Sequence, residues 1–103
     1  MARNLEREAF LALARWPGRI TAQEAGWALG FSRPDILALE KSGQLKSLGR
    51  PANNSDRYYA AQQIEDLRAD ADWLAKATDA MRRHWRQRNA DKPVHAVTEN
   101  EAD

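Results

Sequence analysis

Two helix-start signals and the glycine between them govern how this chain can fold. Thr21-Ala22-Gln23-Glu24 and Ser32-Arg33-Pro34-Asp35 each set a hydroxyl residue three positions before a carboxylate, the spacing of a capping box. Gly30 lies between them and can adopt the left-handed backbone that ends a helix. The sequence therefore predicts a short helix from about residue 22 to Leu29, a tight turn, and another helix over 33–42 terminated by Gly43. Two helices that cross closely need small residues at the crossing, and Ala25 and Gly26 supply them. Leu29, Phe31, Ile36 and Leu39 fill the space between. A plain helical hairpin in a small bundle satisfies the same residues, but it leaves the segment that follows unexplained.

That segment reads as strand, loop, strand. Leu45-Lys46-Ser47-Leu48 and Arg57-Tyr58-Tyr59 are the strands, and Gly49 to Asp56 is turn chemistry throughout, so a hairpin is expected. Before the capping boxes, Leu5, Ala9, Phe10, Leu13 and Ala14 recur at helical spacing and predict a first helix over 4–15, capped by Asn4 and stopped by Pro17-Gly18. Trp16 and Ile20 flank that break and are expected to fold back on the core. Ile64 and Leu67 mark a helix over about 61–69. Asp70 or Asp72 caps a last one over 72–88, with the stripe Trp73, Leu74, Ala77, Met81 and Trp85. That stripe needs a partner: either the stripe Leu5, Ala9, Leu13 or a second copy of itself. Residues 89–103 carry no period and are expected to be a disordered acidic tail.

At 103 residues this is one domain, read here as 1–88. The absence of cysteine excludes disulfides, thiolate metal sites and cysteine catalysis. No paired histidines, nucleophile elbow or phosphate-cradling glycine loop is present, so neither an enzyme nor a metal, cofactor or small-molecule site is expected. The charged start and the lack of a long apolar run predict a cytoplasmic protein that does not cross a membrane. The net charge of +1 conceals an asymmetry: of 16 Lys and Arg only Lys92 lies beyond residue 88, against Asp91, Glu99, Glu101 and Asp103. The body is basic enough to take nucleic acid as a partner without requiring it.

Residues 21–67 resemble the winged helix-turn-helix of MerR-type and phage-excisionase-like proteins. The shared pieces are Thr21, Ala25, Leu29-Gly30-Phe31-Ser32, Gly43-x-Leu45, Arg57-x-Tyr59 and Ile64-x2-Leu67. The resemblance implies a mainly α fold: a motif over 21–43, a two-stranded wing over 45–59, and flanking N- and C-terminal helices. It further implies double-stranded DNA as partner, with helix 33–42 in the major groove and the wing on the neighbouring backbone. Leu37-Ala38-Leu39-Glu40 departs from the polar recognition helix of MerR-type activators. The short last helix lacks their long dimer helix and effector domain, so the excisionase-like relatives match better.

Candidate base contacts are the outward residues Ser32, Arg33, Leu37 and Lys41. Candidate phosphate contacts are Lys46, Arg50, Asn53, Asn54 and Arg57 in the wing, Arg57 also matching the wing arginine of those families. Arg82, Arg83 and Arg86 are further candidates, or else cations stabilising a helix C-terminus. Tyr59, Trp16, Trp73 and Trp85 read as core. The expected function is a small bacterial or phage-type transcriptional regulator or recombination accessory factor, acting as a homodimer or cooperative array. The alternative is a protein-interaction adaptor that uses an apolar face made by Trp27 and Leu37.

Overall fold

The computed structural model describes residues 5–52 and 55–90. They form a mainly helical domain with a two-stranded antiparallel sheet: α1 (Leu5–Leu11), β1 (Arg19–Thr21), α2 (Ala22–Leu29), α3 (Arg33–Lys41), β2 (Tyr58–Ala60), α4 (Ala61–Arg68) and α5 (Ala71–Ala90). Among the described residues no helix is long and apolar enough to cross a membrane.

Local chemistry builds the α2–α3 pair as the sequence predicts. Thr21 Oγ1 accepts from the Glu24 amide at 3.1 Å while Glu24 Oε1 accepts from the Thr21 amide at 2.9 Å. Ser32 and Asp35 repeat the exchange at 3.2 Å in both directions. Gly30 ends α2 at φ 88°. The Gly26 carbonyl then accepts from both the Gly30 and Phe31 amides, folding the turn back onto α2. Gly26 itself has no room for a side chain, because a Cβ there would collide with the Phe31 carbonyl oxygen.

The sheet differs from expectation. Tyr58–Ala60 pairs with Arg19–Thr21, not with residues 45–48, in the register Arg19 to Ala60, Ile20 to Tyr59 and Thr21 to Tyr58. Burial explains the choice: Ile20 and Tyr59 face each other in the core, whereas Leu48 is 46% exposed. The main chain of Lys46 is also taken, its amide donating to Gln63 Oε1 and its carbonyl accepting from Gln63 Nε2. Residues 42–57 are thus a long connection, joined to β2 by the Leu48 amide on the Tyr58 carbonyl at 2.8 Å.

The terminal helices also depart from the periodic reading. α1 stops at Leu11, and of its proposed stripe only Phe10 is buried; Leu5 and Leu13 are 66% and 49% exposed. Phe10 stacks on Trp16 at 5.0 Å, so the chain must turn back before Leu13 can reach the core. Asn4, the expected cap, lies outside the described residues. α5 is capped by Asp70, whose Oδ1 accepts from the Trp73 amide at 3.0 Å. It runs two residues past residue 88, so Asn89 and Ala90 are helical rather than tail; 91–103 lie outside the described residues. Its stripe packs on α3 and α4 instead of on Leu5, Ala9 and Leu13. Trp73 Nε1 donates to the Gln44 carbonyl just past α3, and Trp85 Nε1 donates to Asp35 Oδ1 in the first turn of α3 at 2.7 Å. α5 therefore lies along α3 with the chain running the opposite way. Ala77 and Met81 fill the core between these anchors, beneath Ile36, Leu39 and Ile64.

Because the Gly26 contact is with backbone, Gly26→Ala is expected to destabilise the domain by about 1–3 kcal/mol. Urea unfolding of the variant beside the parent checks this.

Candidate nucleic-acid interface

One flank of α3 carries a stripe of Arg33, Leu37 and Lys41, about one helical turn apart and reaching the outer crest at Lys41. Arg33 and Lys41 are exposed and Leu37 is half-buried. Across from them stand Ser55, Asp56 and Arg57, at the end of the 42–57 connection. The two walls and Glu40 enclose an open cleft of about 590 Å³. A second hollow of about 140 Å³ shares Arg33, Asp56 and Arg57 and reaches the start of α2 at Thr21, Ala22 and Gln23.

Glu40 holds the walls together. Its Oε1 accepts from the Tyr59 hydroxyl at 2.7 Å; its Oε2 accepts from Ser47 Oγ at 2.6 Å and from Arg57 Nη1 at 3.3 Å. Ser47 lies in the first half of the connection, Arg57 is its last residue and Tyr59 follows in β2, so both limbs are tied to one carboxylate on α3. Burial and the Glu40 hydrogen bond push the Tyr59 phenol far above its ordinary range. Glu40 was not among the sequence candidates. Its signal was its position, one turn after the inward-facing Ile36, where a carboxylate requires partners.

The remaining candidates separate. Arg57 is an ion-paired wall of the cleft rather than a freely solvated wing cation. The Ser32 hydroxyl serves the α3 cap. Lys46 and Arg50 are exposed but line neither hollow, and Asn53 and Asn54 lie outside the described residues. Arg82, Arg83 and Arg86 are exposed on α5. The structure does not unite Trp27 with Leu37: Trp27 packs its ring 5.9 Å from Phe10, and the cleft that Leu37 lines does not include it. Among the described residues no three His, Cys, Asp or Glu group as metal ligands. No family model, curated protein or solved structure matches the chain.

Two outcomes follow from the Glu40 cluster. Glu40→Ala leaves the buried Tyr59 hydroxyl without its acceptor and is expected to cost about 1–3 kcal/mol in urea unfolding. The Tyr59 shift also fixes a sign. The unfolded chain releases the phenolic proton near pH ~10 while the folded chain retains it. The contribution is thus whole below that pH and declines as pH rises above it. Stability measured across that range should fall less steeply in Tyr59→Phe than in the parent.

Proposed function

We propose that this chain binds double-stranded DNA through a winged helix-turn-helix, with α2 and α3 as the motif, α3 as the reading helix and the 42–57 connection as the wing. The observation that carries the reading is the open cleft in which the α3 stripe, exposed Arg33 and Lys41 with half-buried Leu37 between them, meets Arg57 of the connection. An α-helix enters the major groove by such an unpacked face, and residues beside it meet the backbone. Arg33, in the first turn of α3, has the guanidinium fork that pairs with guanine, and Lys41 suits phosphate. Leu37 offers an apolar contact to a thymine methyl.

This is binding without chemistry. Phosphate contacts position the domain, and a few base contacts with DNA shape give modest specificity. One module of this size covers roughly 600–1,000 Å² of DNA-facing surface, so a dimer or a cooperative array goes with the reading. The biological setting that suits it is a small bacterial or phage-type transcriptional regulator or excisionase-like recombination accessory factor, acting in the cytoplasm. The adaptor alternative loses its main support, since Trp27 packs on Phe10.

Binding to a pool of random duplexes is expected to weaken steeply with salt, with log K falling against log salt at a slope of about −3 to −5 for three to five neutralised phosphates. A flat dependence, or no binding at low salt, would overturn the reading. Site selection from random DNA then divides base readers from phosphate binders. Arg33→Ala should change the preferred sequence, whereas Arg57→Ala should weaken all sequences alike.

A further inference from the structure

The arginines of α5 need an explanation that the helix end does not provide. Stabilisation of a helix by basic residues acts within its last turn. α5 continues to Ala90, and the basic residue in its last turn is Arg88, which lies over the Trp85 ring at 5.7 Å. Arg82 and Arg83 stand about two turns before the end. Among the described residues neither they nor Arg86 engages in an ion pair or hydrogen bond, and all three are exposed. The nearest carboxylate along the helix is Asp79, which borders a shallow depression with Arg82.

Their position is set by Trp85. Its indole donates to Asp35 Oδ1, and Asp35 caps α3 through Ser32, so this part of α5 is fastened beside the first turn of α3. With Met81 and Ala77 defining the buried face, Arg82 and Arg86 project from the side to which Trp85 turns, at about 100° and 140° from Met81. On α3, Asp35 and Leu37 project about 160° apart. The cleft and α5 therefore occupy opposite flanks of the same helix, with Pro34 and Lys41 exposed along the crest between them.

We propose that the C-terminal part of α5 is a second backbone-binding surface, in which Arg82 and Arg86 take phosphates of the duplex strand that borders α3 on the flank away from the cleft. The proposal rests on the DNA reading given above. A helix in the major groove lies between two phosphate backbones. Arg57, on the far wall of the cleft, serves one of them; without α5 the other flank would meet DNA with Asp35 as its charged group in the first turn. Two arginines one turn apart beside that carboxylate reverse the sign of the flank, and guanidinium groups suit phosphate by geometry as well as charge. Arg83, further round the helix, adds to the field without a defined contact.

The test compares the full chain with Arg82→Ala/Arg86→Ala and with Arg82→Lys/Arg86→Lys, titrating a random duplex pool over a range of salt. Each phosphate that is no longer neutralised takes about 0.9 from the slope, so the alanine pair should be shallower by about 2 and the lysine pair should keep the parent slope. Thermal unfolding should be unchanged in both. A steep parent slope retained by the alanine pair would overturn this proposal alone. A shallower slope in both pairs would also overturn it, since the loss would then not follow charge. A parent that does not bind duplex DNA would overturn the proposal together with the reading beneath it.

Discussion

The Glu40 carboxylate is the point on which the arrangement of the domain turns. A partly buried carboxylate is costly unless donors replace the hydration it loses, and Tyr59, Ser47 and Arg57 do so. Among the described residues the 42–57 connection is otherwise held mainly near its start: by the Gln44 amide on Leu39 and the Trp73 indole on the Gln44 carbonyl, by the buried Leu45, by the Gln63 amide bound to both polar groups of the Lys46 main chain, and by the Leu48 amide on Tyr58. Convergence of both limbs on one side chain of α3 gives an otherwise irregular segment a fixed relation to the helix it faces. A hydrophobic residue at position 40 could fill the space, but it could not join three polar groups from separate stretches of chain.

α3 is held in a comparable way on its other side. The three-residue turn fixes its start through the Gly26 carbonyl, and α5 spans it from Gln44 to Asp35 by two indole N–H bonds. Indoles suit this task because each has a large apolar ring to bury and a single donor to aim. The half-buried Trp73 and Trp85 accordingly sit at the margin of the core, with Ala77 and Met81 completely or nearly buried between them.

What could be read from the sequence was what is written locally. The two capping boxes, Gly30 and the Asp70 cap act within a few residues of themselves, and α2, α3, α4 and α5 follow close to expectation. Partners were another matter. β1 escaped notice because it is three residues long and its last residue, Thr21, also carries the strongest helix-cap signal in the chain. The α1 stripe has a regular spacing, yet spacing says nothing of whether another surface arrives to cover it; Trp16 claims Phe10 and leaves Leu5 and Leu13 in solvent. The cleft was half legible. Arg33, Leu37, Lys41 and Arg57 were recognisable by type, while Glu40, Ser55 and Asp56 depend on how the connection folds back, which no short motif encodes.

Both strands pass into helices without a spacer: Thr21 is followed at once by α2, and Ala60 by α4. The sheet is thus a rigid joint between those helices, and one inserted residue on either side would rotate a helix by about 100° relative to its strand. The 42–57 connection is the opposite case, since its ends are pinned and the cost of added length grows only logarithmically. Added length is therefore tolerated at lower cost within this connection than at the two strand–helix junctions. Changes there would alter how far the connection extends beside α3 while the frame that carries α3 stays the same.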